Sequence, residues 1–176
     1  MSFMKGSISI RPIMVADELF LWEALYLAIY TPPGKLPPPR EIVHSPELSR
    51  YVAGWGQAGD IGFIAEENGQ PIGTIWLRLF DGGRRGYGYV GDDIPELSMA
   101  VLPENRARGI GSGLLAHLLD VAACRFQAVS LSVSRNNPAR RLYERYGFKK
   151  VGESADSLIM LRHFSEPPTH EPRTSE

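Results

Sequence analysis

The chain has one cysteine, Cys124, among 176 residues. A single thiol excludes an internal disulfide framework and fits a reducing compartment. Neither sign of charge is in excess: 19 basic and 20 acidic side chains leave a formal net charge of -1. No bulk field therefore recruits nucleic acid or an anionic membrane surface, and any anion has to be bound by local geometry. A run of about 18 apolar residues, the minimum for a bilayer span, is missing. The opening "MSFMKGSISIRP" has no continuous apolar core of the signal-peptide kind. The expectation is a soluble, cytoplasmic protein that binds neither nucleic acid nor membrane. Its length suits one domain, residues 1–164, before a polar, proline-containing tail at 165–176 that is expected to be disordered.

What is present reads as alternating strands and helices. "SISIRP" alternates apolar and polar residues up to Pro12, as a short strand does. The apolar-rich stretch from Asp17 to Tyr30 suits a helix capped by Asp17. Five prolines in "TPPGKLPPPREIVHS" then forbid regular helix. A second helix is predicted from Ser45, with Pro46 at its first position and Leu48, Tyr51, Val52 and Trp55 on one face. "DIGFIAEE" and "PIGTIWLRLF" flank Asn68-Gly69, a pair suited to a hairpin turn with positive backbone φ. The glycine-rich "DGGRRGYGYVGDDIP" leads into the strand "ELSMAVLP", where Leu97, Met99 and Val101 share a face. Leu114, Leu115, Leu118, Leu119, Ala122 and Phe126 form the buried stripe of the next helix. After the strand "VSLSV", Pro138 opens a short helix with Asn137 as its cap and Ala139, Leu142, Tyr143 and Tyr146 on one face. Gly147 stops that helix, and "SLIMLRHF" is the last strand. The order implies one mixed α/β or α+β sheet domain.

The stretch "LPENRARGIGSGLL" carries the strongest chemical signal. A strand that ends at Pro103 and re-emerges as a helix near Gly111 aims unpaired backbone N–H groups and the positive end of the helix dipole at one point. Gly109, Gly111 and Gly113 leave those amides uncovered, while Arg106 and Arg108 add charge-assisted donors. The pattern also fits an ordinary turn with solvated arginines. A nucleotide P-loop is excluded, because Leu114 and Leu115 stand where that motif needs Lys followed by Ser or Thr, and the dinucleotide fingerprint fails at the same leucine.

The run "ELSMAVLPENRARGIGSGLL" closely resembles the acetyl-coenzyme A binding motif of the GNAT superfamily of N-acetyltransferases, with Arg106, Gly109 and Gly111 matching its Arg/Gln-x-x-Gly-x-Gly/Ala core. "LSVSRNNPARRLYERYGFKKVG" is similar to the downstream strand-helix-strand element of that family, with Asn136 seven residues before Tyr143. The resemblance is strong over residues 94–152 and loose elsewhere. It implies an α+β fold: a central, mostly antiparallel sheet splayed between its fourth and fifth strands, flanked by about four helices. Acetyl-coenzyme A, as co-substrate, would lie in that gap. The pyrophosphate would rest on Arg106, Ala107, Arg108, Gly109, Ile110, Gly111 and Ser112. The strand backbone of Met99, Ala100 and Val101 would pair with the pantetheine arm, and Asn136 would bond its amides from across the gap.

Transfer of an acetyl group to a primary amine of a small molecule or peptide needs a neutral amine, although an alkyl ammonium has a pKa of about 10.4. In this family a carboxylate on the fourth strand often takes the proton, so the resemblance favours Glu96 as general base, directly or through one water. A solvated strand-end glutamate is the alternative. Asp92 and Asp93 are either a source of negative potential for a cationic acceptor or exposed loop charges. The family places a tyrosine at the position of Tyr143 as the general acid that protonates the leaving thiolate. One more apolar contact on the helix is the competing reading. Cys124 has no histidine at a recognisable spacing, so an acyl-cysteine route is not expected. His117 and Asp120 do not suffice for a metal site. Trp22, Tyr26, Tyr30 and Trp55 are expected in the core or lining the acceptor pocket. A non-catalytic acyl-coenzyme A binding module remains the rival reading, and an edge strand from the C-terminal segment would allow a homodimer.

Overall fold

The computed structural model of the chain describes residues 7–164, so the tail expected at 165–176 lies outside the described residues. The strands are β1 (Ile8–Pro12), β2 (Ile61–Glu67), β3 (Gln70–Arg78), β4 (Glu96–Val101), β5 (Ala128–Ser134), β6 (Lys149–Ser154) and β7 (Ser157–His163). The helices are α1 (Glu18–Ala28), α2 (Pro46–Ser49), α3 (Ile110–Ala122) and α4 (Ala139–Arg145). All seven strands form one sheet in the order β1-β2-β3-β4-β5-β7-β6. Every neighbouring pair is antiparallel except β4 and β5.

That parallel contact is confined to Glu96 opposite Ser130, with the Ser130 amide donating to the Pro95 carbonyl at 3.0 Å. Beyond it the two strands separate, and the sheet opens between them. Side chains alternate across each strand, which divides the core into two layers. Leu97, Val129, Leu131 and Val133 pack with the α3 stripe Leu114, Leu115, Leu118 and Leu119, as the sequence pattern predicts. The opposite layer holds Leu21, Leu25, Tyr51, Val52, Trp76, Phe80 and Ala100, contributed by α1, the α2 segment and the other sheet face. Asn68 and Gly69 both take positive φ (52° and 76°) in the β2–β3 turn, as expected for that pair.

Three sequence expectations need correction. Asp17 does not cap α1. Its carboxylate accepts the Met14 amide at 2.7 Å and is gripped by Arg11 at 2.8 and 2.9 Å, which stabilises a 3-10 turn in front of the helix. The predicted helix from Ser45 to Trp55 is regular only over Pro46–Ser49. The guanidinium of Arg78 takes the carbonyls of Arg50, Ala53 and Gly54 at 2.9, 2.8 and 3.4 Å, and those are the acceptors that further turns would need. Gly54 and Gly56, at φ 63° and 105°, then leave helical space altogether. Finally, two strands follow α4, where the apolar pattern has one. β6 is reached only by the strand-helix-strand resemblance, because its exposed residues, including Val151 at 53% exposure, lack apolar alternation.

Candidate active site

The β4 side of the opening presents the main-chain groups of alternate residues. The Pro95 carbonyl faces β5, and the Leu102 amide faces β3, donating to the Ile72 carbonyl at 2.9 Å. Strand alternation between these two anchors turns the peptide groups of Leu97, Met99 and Val101 toward the gap and those of Ala100 toward Thr74 on β3. Of the three residues expected to pair with the pantetheine arm, Met99 and Val101 are thus oriented for it, and Ala100 is engaged within the sheet.

At the end of β4 the chain makes a 3-10 turn at Pro103–Asn105 and enters α3 through two left-handed residues, Ala107 (φ 58°) and Gly109 (φ 79°). Gly113 donates the first helical bond, to the Gly109 carbonyl at 3.0 Å. The amides of Ile110, Gly111 and Ser112 consequently have no intrahelical acceptor and sit at the positive end of the helix. A Cβ on Gly109 or Gly113 would meet open space, so these amides are uncovered. Arg106 curls back, its Nε donating to the Val101 carbonyl at 3.1 Å, which sets the guanidinium beside the gap. Arg108 turns outward instead and forks onto Glu67 of β2 at 2.7 and 3.1 Å. Ser112 is tied to α4, its Oγ lying 2.7 Å from the Tyr146 hydroxyl.

Across the gap, the Asn137 side chain accepts the Ala139 amide at 2.9 Å and so starts α4, while Asn136 is exposed at the strand end with no hydrogen bond among the described residues. Tyr143 is buried on the inner face of α4, edge-on to Phe148 at 5.8 Å. Its hydroxyl has no hydrogen-bond partner among the described residues. Burial raises its pKa above the ordinary phenol value, so it stays protonated.

Glu96 is not a solvated strand-end residue: it is 3% exposed. Oε1 accepts the Tyr51 hydroxyl at 2.7 Å and the Gly88 amide at 2.9 Å, whereas Oε2 is buried and has no partner among the described residues. Burial pushes the carboxyl up to about 7, against the lowering effect of the bonds from Tyr51 and Gly88. Its neighbour across the strand junction, Ser130, also has a buried hydroxyl without a partner among the described residues. The loop 79–95 closes over this point. A Cβ on Gly86 would lie 2.1 Å from Glu96 Oε2, and one on Gly88 would lie 2.6 and 2.7 Å from backbone atoms of Leu131 and Ser132. Both glycines are therefore required by close approach. Asp92 and Asp93 are exposed on the same loop, Asp92 accepting the Tyr89 hydroxyl.

Sequence reasoning overlooked Tyr51, Gly86, Gly88 and Ser130. The Gly-Tyr-Gly spacing at 86–88 was the available signal, because alternate glycines in a loop commonly mark a backbone pressed against something. His117 packs edge-on to Phe63 at 4.4 Å, Cys124 is exposed, and no metal-binding cluster occurs among the described residues. No helix there is long and apolar enough to cross a membrane.

Comparison with known proteins agrees with this geometry. The chain overlays the ribosomal-protein-S18-alanine N-acetyltransferase of Escherichia coli with a TM-score of 0.63 at 19% identity, covering 94% of this chain and 99% of that one. For the PaiA N-acetyltransferase of Thermoplasma acidophilum, solved with coenzyme A, the values are 0.66, 21%, 90% and 99%. The ribosomal-protein-alanine N-acetyltransferase of Brucella melitensis gives 0.61 at 23% identity over 88% of this chain and 99% of that one. No curated protein sequence matches significantly. These identities establish a shared fold. A family model described as an acetyltransferase (GNAT) domain matches residues 58–150, a span that contains the sheet opening, the α3 turn, Glu96 and Tyr143. The chain belongs to the GNAT family of acetyltransferases.

Proposed function

We propose that this acyltransferase moves an acetyl group from acetyl-coenzyme A directly to a primary amine of a small molecule or peptide. The observation that carries the reading is the position of Glu96. A buried carboxyl with a pKa near neutrality stands at the one residue pair where β4 and β5 still touch, at the head of the opening. A base of that strength is suited to deprotonating an ammonium at neutral pH.

Acetyl-coenzyme A would supply the activated acetyl group as a thioester. The residues present fit it: uncovered amides at Ile110, Gly111 and Ser112 with Arg106 beside them suit a diphosphate, and the Met99 peptide group and the Val101 amide, both turned toward the gap, suit an extended amide-bearing arm. Arg108, paired with Glu67, contributes through its backbone in this arrangement. Asn136 is exposed across the opening and available to the same arm. Glu96 Oε2 takes the amine's proton, directly or through a water. Tyr143, held protonated by burial, carries the proton that the leaving thiolate needs.

The test is thiol release from acetyl-coenzyme A with a panel of polyamines, amino acids, aminoglycosides and peptides with free N-termini. Alanine-initiated peptides belong in the panel because two of the matched structures are ribosomal-protein-alanine N-acetyltransferases. At least one amine should be acetylated, with loss of rate in Glu96→Gln. Tight coenzyme A binding with no acetylation of any amine would leave only a binding module.

A further inference from the structure

Tyr51 lies in the irregular segment after α2, in the layer opposite α3, and is 5% exposed. Its ring is fixed on two sides, by Phe80 edge-on at 5.0 Å and by Tyr87 stacked at 6.3 Å with an 11° interplanar angle. Its carbonyl accepts the indole N–H of buried Trp76 at 3.0 Å. The hydroxyl accepts the Tyr87 amide at 2.6 Å and donates to Glu96 Oε1 at 2.7 Å. A phenol has one proton, so an amide donating into its oxygen leaves that proton directed at the carboxylate. Burial and the nearby Glu96 charge raise the Tyr51 pKa, which keeps it a donor throughout the working pH range.

The Gly88 amide converges on the same carboxylate oxygen. Both donors are therefore spent on Oε1, and Oε2 is left with none among the described residues. Gly86 lets the main chain close over this arrangement, since a Cβ there would lie 2.6 Å from the Tyr51 hydroxyl as well as against Oε2. Among the described residues no formal charge is paired with the carboxylate. Arg78, opposite Glu96 on β3, is paired with Asp60; Arg50 donates to the Pro46 and Arg85 carbonyls; Arg85 lies over the Tyr89 ring; and β5 presents the neutral Ser130.

We propose that Tyr51 is a positioning residue for acetyl transfer: its hydroxyl holds Glu96 by Oε1 and so presents Oε2 as the atom that takes the acceptor's proton. This rests on Glu96 being the base. A bond from a neutral donor stabilises the carboxylate over the carboxylic acid, so removing it raises the pH at which Glu96 becomes competent and frees its rotamer.

The experiment compares Tyr51→Phe, Glu96→Gln and the double variant, using the best amine from the acceptor panel. Tyr51→Phe keeps the ring and removes the proton. Its acidic limb in kcat/KM should move up by about one pH unit and its plateau should fall roughly tenfold, with KM for acetyl-coenzyme A within about twofold of the parent. Added to Glu96→Gln, the same change should cost no further rate. A Tyr51→Phe enzyme with the parental limb and plateau beside an impaired Glu96→Gln enzyme overturns the role of Tyr51 alone. An undiminished Glu96→Gln rate overturns the base and this proposal together. Should Tyr51→Phe not fold, difluorotyrosine at position 51, a stronger donor, should shift the limb to lower pH, and an unshifted limb overturns the proposal.

Discussion

Arg78 and Glu96 occupy directly opposed positions on β3 and β4, yet make no ion pair. The guanidinium turns to Asp60, contacting both carboxylate oxygens at 3.0 and 2.7 Å, while Glu96 turns to Tyr51. Opposed residues in an antiparallel pair share a face, so the separation is imposed by their other partners and not by distance along the sheet. It leaves Glu96 without the cation that would hold it ionised, and burial then dominates its titration.

Asp60→Asn should therefore act twice. Arg78 and Asp60 are each only 3% exposed, and removing one partner of a buried pair costs about 3–5 kcal/mol. Urea denaturation should register that loss. In the fraction that remains folded, the guanidinium is an uncompensated positive charge on the same sheet face as Glu96 and favours its charged form, so the acidic limb of kcat/KM should move to lower pH. A variant with unchanged stability would show that the pair is dispensable.

The titration of Glu96 also predicts a pH-dependent stability. Its folded pKa of about 7 lies above the ordinary value of about 4.3. Between those two pH values the folded state binds the extra proton, so stability falls as pH rises through this window and does not recover above it. Glu96→Gln removes the titration. The difference in unfolding free energy, variant minus parent, should rise by on the order of 3 kcal/mol between pH 4 and pH 8.5. Denaturation at the two pH values checks this, and a constant difference would place the carboxyl at its ordinary pKa.

Tyr143→Phe separates chemistry from packing. The hydroxyl has no partner among the described residues, so removing it breaks no internal bond, and the ring keeps its edge contact with Phe148. Thermal stability and coenzyme A binding should stay at parental levels while kcat drops roughly 100-fold. Unchanged turnover would remove this tyrosine from the mechanism.

How much of this was legible beforehand depends on whether a residue's role is local. The α3 turn was readable because strand-end proline, arginine and alternating glycines act on their own backbone, and Gly109 indeed adopts φ 79°. Core faces at Leu97, Leu114 and Leu118 followed from period alone. The α2 segment was misread because its helical pattern is overridden by Arg78, a residue more than twenty positions later in the chain. Tyr51 reads from the sequence only as one residue on the face of that helix, because nothing near it in sequence announces a carboxylate 45 residues away.

Gly111→Glu should move stability and binding in opposite directions. In the structure a Cβ at this position meets Met99 Cε at 3.6 Å, Met99 Sδ at 3.7 Å and Leu142 Cδ2 at 3.8 Å, all ordinary contacts. Glycine in a helix costs roughly 0.5–1 kcal/mol relative to alanine, and a carboxylate in the first turn interacts favourably with the helix dipole. The ligand-free variant should therefore melt at or above the parental temperature. The new side chain nevertheless puts bulk and negative charge among the amides of Ile110, Gly111 and Ser112, where a diphosphate would have to sit. The thermal shift produced by coenzyme A should vanish. Gly109→Ala is the complementary control: its Cβ meets open space, but φ 79° costs an alanine about 1–2 kcal/mol, so stability should fall while the amides stay uncovered and coenzyme A still binds. A Gly111→Glu protein that retains the full coenzyme A shift would move the diphosphate away from this turn.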